Sequence, residues 1–151
     1  MSAYSPPAVD VCEAAFAELS QHVLYEILRL RADAFIVEQR CIYPDLDGRD
    51  EEPTTRHYWA QSNDGAVVGC LRIVAEPDGS DTIGRVVTIP AWRGRGVSSL
   101  LMRRALADCR RPARIKAQSR LAPWYAGFGF APSGAEFMDY DIPHLPMVVE
   151  T

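Results

Sequence analysis

The 151-residue chain has no apolar run approaching the roughly 20 residues a membrane-crossing helix needs, and no Lys or Arg precedes Arg29. Neither a membrane span nor a signal or transit peptide is therefore expected, and a cytoplasmic location is. Its four cysteines, Cys12, Cys41, Cys70 and Cys109, make no C-x-x-C pair, and no His stands at finger spacing. That argues against a zinc site or a redox motif and for reduced, mostly buried thiols. Lysine is almost missing, with Lys116 alone among 16 basic residues. No repeat, low-complexity tract or linker divides the chain, so one domain over residues 1–151 is expected, with residues 1–10 a flexible, Pro-containing terminus.

What is present is an ordinary globular composition, 48% hydrophobic and 24% charged, which excludes collagen-like, coiled-coil and disordered classes. The net charge of -4 conceals a segregation. Residues 1–75 hold 6 Arg against 12 acids, whereas Arg85 to Arg120 holds ten cations against Asp108 alone. The second half suits a polyanion and the first half a cation.

Ser20 is placed to cap a helix whose apolar stripe includes Val23, Leu24, Ile27, Leu28, the Arg31 stem, Ala34 and Phe35, ending near Gln39. An acidic loop follows from Tyr43 to Pro53. Strands are expected over Val11 to Ala17, Arg56 to Ser62, Ala66 to Ala75, Thr82 to Ile89, Ala113 to Gln118, Ala131 to Phe137 and His144 to Glu150. Asn63-Asp64-Gly65 supplies a hairpin turn. A second long helix begins after Gly96, and Pro123 opens a short one that Gly129 stops. The order gives an α/β (α+β) domain with a mixed sheet.

Val86-Val87-Thr88-Ile89-Pro90-Ala91-Trp92-Arg93-Gly94-Arg95-Gly96-Val97-Ser98-Ser99 runs from a strand through glycines into a helix start. Unpaired amides and the helix dipole there favour an anion, and a pyrophosphate fits. No Gly-Lys pair exists for a P-loop. The dinucleotide fingerprint fails at Ser99 and lacks its later acid, since that region reads Arg114-Ile115-Lys116. Asp45-Leu46-Asp47-Gly48 puts its Gly too early for a calcium loop, and no metal is expected.

Arg93-Gly94-Arg95-Gly96-Val97-Ser98 resembles the pyrophosphate turn [Q/R]-x-x-G-x-[G/A] of the GNAT superfamily of acyl-CoA-dependent N-acetyltransferases, with Ser98 where Gly or Ala is usual. Trp124-Tyr125-Ala126-Gly127-Phe128-Gly129-Phe130 resembles the family's later helix, which carries a Tyr and ends in Gly-Phe. The Asn often found before that Tyr has no counterpart in Gln118-Ser119-Arg120-Leu121. Phe35-x-Val37-Glu38-Gln39, Tyr43-Pro44-Asp45-x-Asp47-Gly48, Arg56-His57, Gly84-Arg85-Val86 and Ile142-Pro143-His144 resemble the ElaA-like branch, over residues 14 to 149 in all.

The resemblance implies a largely antiparallel sheet with splayed central strands. It implies acetyl-CoA bound between them: pantetheine on the backbone of Val86, Val87 and Thr88, and diphosphate on Arg93, Gly94, Arg95, Gly96, Val97, Ser98 and Ser99. Direct attack by a primary amine, small-molecule or peptidyl, would follow, with a backbone N–H near Val87 or Thr88 polarising the thioester. Tyr125 matches the position that protonates the leaving thiolate. For the base, Glu38, His57 and His144 all qualify, with Glu38 and His144 carried forward. The acidic loop is read as solvated or as a lure for a cationic acceptor. A non-catalytic acyl-CoA-binding module is the alternative; nucleic acid is set aside and a homodimer left open.

Overall fold

Ser20 caps the first helix as its spacing predicts. In the computed structural model, which describes residues 5–151, its hydroxyl accepts the Val23 N–H at 3.1 Å and α1 runs Gln21–Arg31. The helix then widens into a π-helical stretch over Ala32–Glu38, where Gln39 N–H bonds back five residues to Ala34 O at 3.1 Å. π-turns of this kind gather at functional sites.

Among the described residues eight strands form one sheet: β1 (Val9–Ala15), β2 (Arg56–Ser62), β3 (Val67–Ala75), β4 (Asp81–Thr88), β5 (Ala113–Gln118), β6 (Ala131–Pro132), β7 (Phe137–Asp139) and β8 (Ile142–Val149). Their order is β1-β2-β3-β4-β5-β8-β6, with β7 also on β8. All pairs are antiparallel except β4 with β5. Helix α2 (Val97–Asp108) and the short α3 (Ala122–Ala126) complete the fold. The expected mixed sheet flanked by helices is the one observed.

Two expectations shift. β1 begins at Val9, inside the segment read as a flexible terminus, while residues 1–4 lie outside the described residues. The strand expected over Ala131 to Phe137 is broken: Ala131 and Pro132 pair with Val148 and Met147, the chain leaves the sheet, and Phe137 rejoins opposite His144. Pro132 has no N–H to continue a ladder, and Ser133-Gly134 follows it.

Alternation along each strand sorts side chains onto two faces. Leu71, Ile73, Ile83, Ile115, Leu101 and Met102 pack on the α2 side, and Ala14, Ile27, Leu30, Trp59 and Cys70 pack under α1. Leu101 and Met102 are fully buried, each contributing roughly 1.5–3 kcal/mol. The start of α2 comes close to the sheet at Gly69. A Cβ there would stand 2.9 Å from Val97 Cγ1 and 3.1 Å from the Val87 carbonyl oxygen.

The feature that makes a site is the parting of β4 from β5. They pair only at Asp81 with Ala113 and Thr82 with Arg114. Opposite, Cys70 pairs with Val87 and Arg72 with Gly84, so Arg85 and Val86 together face Leu71. This bulge, with Arg85 left-handed at φ 55°, bends β4 away from β5.

Candidate active site

The glycine turn ends β4 and opens α2. Gly94 and Gly96 sit at φ 75° and 84°, where a side chain would strain the backbone. No side chain caps the helix, and its first internal bond is Leu100 N–H to Gly96 O at 3.0 Å. The amides of Val97, Ser98 and Ser99 therefore have no intrahelical partner and face the mouth of the turn. The Ser98 hydroxyl bonds that of Thr88 at 2.5 Å, tying turn to strand. Such a cradle fits a diphosphate: free donors, a helix dipole and no Cβ at two of its corners.

Arg93 is already engaged. Its Nε donates to the Thr88 carbonyl at 3.0 Å, and its two terminal nitrogens meet both Glu38 oxygens at 2.6 and 2.7 Å. Arg95 lies over the Trp92 ring at 4.9 Å. Glu38, expected as a base, thus stands outside the cavity lining, at the turn, and its bond to Arg93 holds its carboxyl below the usual range. A carboxylate so held is a poor proton acceptor. The structure sets Glu38 against Arg93 and outside the cavity lining.

Where β4 and β5 part, a cavity of about 460 Å³ opens, lined by Thr82, Gly84 and Val86 from one strand and Ile115, Lys116 and Gln118 from the other. Tyr125 reaches it from α3 and His144 from β8. Tyr125 is 6% exposed and packs edge-on against Trp124 and Phe130, with centroids 4.8 and 6.0 Å away. Burial alone pushes its phenol up to about 12. His144 stacks on Phe137, and its Nδ1 lies 2.8 Å from the Ile142 carbonyl. A carbonyl can only accept, so Nδ1 carries the hydrogen and Nε2 of the neutral ring is an acceptor. His57 is different: it is buried, its Nε2 donates to Asp50 O at 2.9 Å, and burial holds it neutral by lowering its pKa. It does not line the cavity.

Three carboxylates of the acidic loop, expected from sequence to be solvated or a lure for a cationic acceptor, are paired with arginines. Arg31, 1% exposed, donates to Asp45 at 3.0 Å and to Asp50 at 2.7 and 3.1 Å. Arg72 bonds Asp47 at 2.7 Å and Asp50 at 3.0 Å. Arg85 hydrogen-bonds the Asp45 carbonyl at 3.1 Å, and its Nε lies 2.8 Å from Asp45 Oδ1, an ion pair without hydrogen-bond alignment. Burial works to raise the Asp50 carboxyl, but hydrogen bonds and charge from Arg31 and Arg72 outweigh it and lower it. One signal for this network was in the sequence: helical spacing put Arg31 on the buried stripe of α1, and a buried Arg demands acids.

Among the described residues no group of three or more His, Cys, Asp or Glu is arranged to hold a metal ion, and no helix is long and apolar enough to cross a membrane.

The comparisons agree with this geometry. The family described as acetyltransferase (GNAT) domain matches residues 36–151. A UPF0039 protein of Mycobacterium tuberculosis is 45% identical over 135 residues, 87% of this chain and 86% of its own. Protein ElaA of Escherichia coli is 37% identical over 141 residues, 89% and 92% of the two chains. The ElaA crystal structure superimposes with a TM-score of 0.87 over 94% of this chain and 99% of ElaA, at 35% identity. An acyl-CoA N-acyltransferase from Pseudomonas aeruginosa gives 0.84 over 93% and 98%, also at 35%. With the splayed strands, the uncapped glycine turn and these relatives together, the chain belongs to the GNAT acetyltransferases, in their ElaA-like branch, and is an acyltransferase.

Proposed function

We propose that the chain moves an acetyl group from acetyl-CoA to a primary amine by direct attack. One observation carries the reading: the gap between β4 and β5 has uncapped amides at the far end of β4 and the buried Tyr125 phenol at its edge. When bound, acetyl-CoA supplies the acyl thioester. Residues Arg93–Ser99 hold its diphosphate. Beyond Thr82, β4 has no strand partner on the β5 side, so those backbone groups of Val86, Val87 and Thr88 that face that side, other than the Thr88 carbonyl held by Arg93, would bond the pantetheine arm, and an amide at Val87 or Thr88 would polarise the thioester carbonyl.

An N–C bond forms as the C–S bond breaks; the amine loses one proton and the sulfur gains one. His144 Nε2 takes the amine proton, directly or through a water, because among the candidates it lines the cavity with an acceptor nitrogen. Tyr125 faces the sulfur. A phenol near 12 is a weaker acid than an alkyl thiol of roughly 8.5, and the difference is about 5 kcal/mol. Tyr125 therefore stabilises the departing sulfur through a hydrogen bond and passes its proton only as another replaces it.

The test is titration calorimetry with acetyl-CoA, followed by free-thiol release over a panel of amines and of acyl-CoAs of increasing chain length. Heat with acetyl-CoA, and thiol release that depends on an amine and falls with longer acyl chains, is the expected result. Heat without release from any amine would make the chain an acyl-CoA-binding module. The basic stretch does not favour nucleic acid, since Arg93, Arg104 and Arg110 are paired with Glu38, Asp108 and Asp81.

A further inference from the structure

Most of the charges around the cavity are held in ion pairs, and two are not. Asp47 takes Arg72 at 2.7 Å and Arg85 at 3.3 Å. Glu76 takes Arg49 through both of its oxygens, at 3.0 and 3.2 Å. Lys116 and Asp139 line the same cavity, and among the described residues neither is ion-paired, to the other or to any third group. Lys116 is exposed on the outward face of β5, between the inward Ile115 and Ala117. Gln118 and His144 are register partners on that same face, two residues along.

A ligand in this cavity meets one free cation and one free anion. We infer that the acceptor is zwitterionic: an amine that also bears a carboxylate, as an amino acid or short peptide does. The inference rests on the acetyl-transfer reading and narrows its acceptor. Lys116 holds the acceptor's anionic group, and Asp139 receives its ammonium on entry, before the proton is lost. A polyamine or aminoglycoside would bring further positive charge against Lys116, while Asp45, Asp47 and Asp50 of the acidic loop are already paired with Arg31, Arg72 and Arg85. Phe35, Tyr43 and Tyr140 form an aromatic wall beside these charges, with centroids 6.2 and 5.7 Å apart, suited to an apolar side chain. The volume, about 460 Å³, is in the range of small-molecule sites.

Matched acceptors test it: L-phenylalanine against 2-phenylethylamine, L-lysine against cadaverine, and glycylglycine against its C-terminal amide. Thiol release from acetyl-CoA is read as kcat/KM for each. The carboxylate member of at least one pair is expected to exceed its partner about tenfold. Lys116→Glu should cut that ratio at least tenfold, and Lys116→Arg should restore most of it. Unaltered melting temperatures, expected for so exposed a residue, keep folding out of the comparison. A ratio near one in every pair, or a ratio indifferent to Lys116→Glu, would overturn the inference, as would heat with acetyl-CoA but no release from any of the six acceptors. No heat with acetyl-CoA would instead sink the parent reading, and this one with it.

Discussion

Tyr125 has its pKa set by burial alone, and that isolation defines what its loss should do. Tyr125→Phe keeps the ring against Trp124 and Phe130, so stability and acetyl-CoA affinity should stay within twofold. Turnover should fall by roughly 10² or more, the usual worth of a positioned proton donor. Equal turnover would remove the phenol from the chemistry. Glu38→Gln separates two roles for one carboxylate. As an anchor of Arg93, its loss should raise KM for acetyl-CoA several-fold and leave kcat and its pH profile in place. As a base, it would take kcat down by ~10²–10⁴ and abolish the low-pH limb. An exposed bidentate pair has modest worth, which is why the expected effect is several-fold and no larger.

At the scale of elements, the acidic loop and the β4 bulge are one device. Asp45 and Asp47 grip Arg85, the left-handed residue at which β4 turns away from β5, and Asp47 also grips Arg72 on β3. Releasing the grip should let β4 relax toward β5 and narrow the gap. Asp47→Asn should therefore weaken acetyl-CoA about tenfold in calorimetry while leaving adenosine 3',5'-bisphosphate, which carries the phosphates without the pantetheine arm, nearly unaffected. Equal losses for both ligands would mean a general loosening.

The legibility of these elements differed for physical reasons. Period and turn chemistry are local, so the Ser20 cap, β2, β5 and the glycine turn stood out in the sequence. The resemblance also brought out the two segments that meet here, Tyr43 to Gly48 and Gly84-Arg85-Val86. Their contact was hidden because 38 residues separate Asp47 from Arg85, and no local pattern records a non-local ion pair. A run of acids next to glycine and proline reads as solvated unless its counter-charges are known. Gly69 was equally silent: it matters for what approaches it from α2, not for its own turn. The partner of Glu38 is hidden for a related reason, since a carboxylate at a helix end looks free until Arg93 is placed against it.

Across the whole molecule, the charge segregation seen along the chain is undone in part in space. Acids of the first half meet cations of the second at Glu38 with Arg93, and at Asp45 and Asp47 with Arg85. Together with Arg104 on Asp108 and Arg110 on Asp81, these pairs engage four of the ten cations of the basic stretch within the fold. The same pairing makes stability depend on pH. Burial lowers the pKa of His57 below its unfolded value, roughly 6.5, so the unfolded chain takes up that proton first and stability declines as pH falls below about 6.5. Asp50 is depressed by Arg31 and Arg72 against the opposing effect of burial, and Asp47 by Arg72 and Arg85 likewise. Their contribution is present above the unfolded carboxylate value, roughly 4, and is lost as pH falls through the lower folded values. Melting temperature should then decline in two stages, gently between about pH 7 and 5 and steeply below about 4. His57→Gln, which can still donate to the Asp50 carbonyl, should flatten the first stage and leave the second. Thermal melts of both proteins from pH 8 to 3 read the difference, and an unchanged upper stage would show that His57 is not the group taking up the proton there.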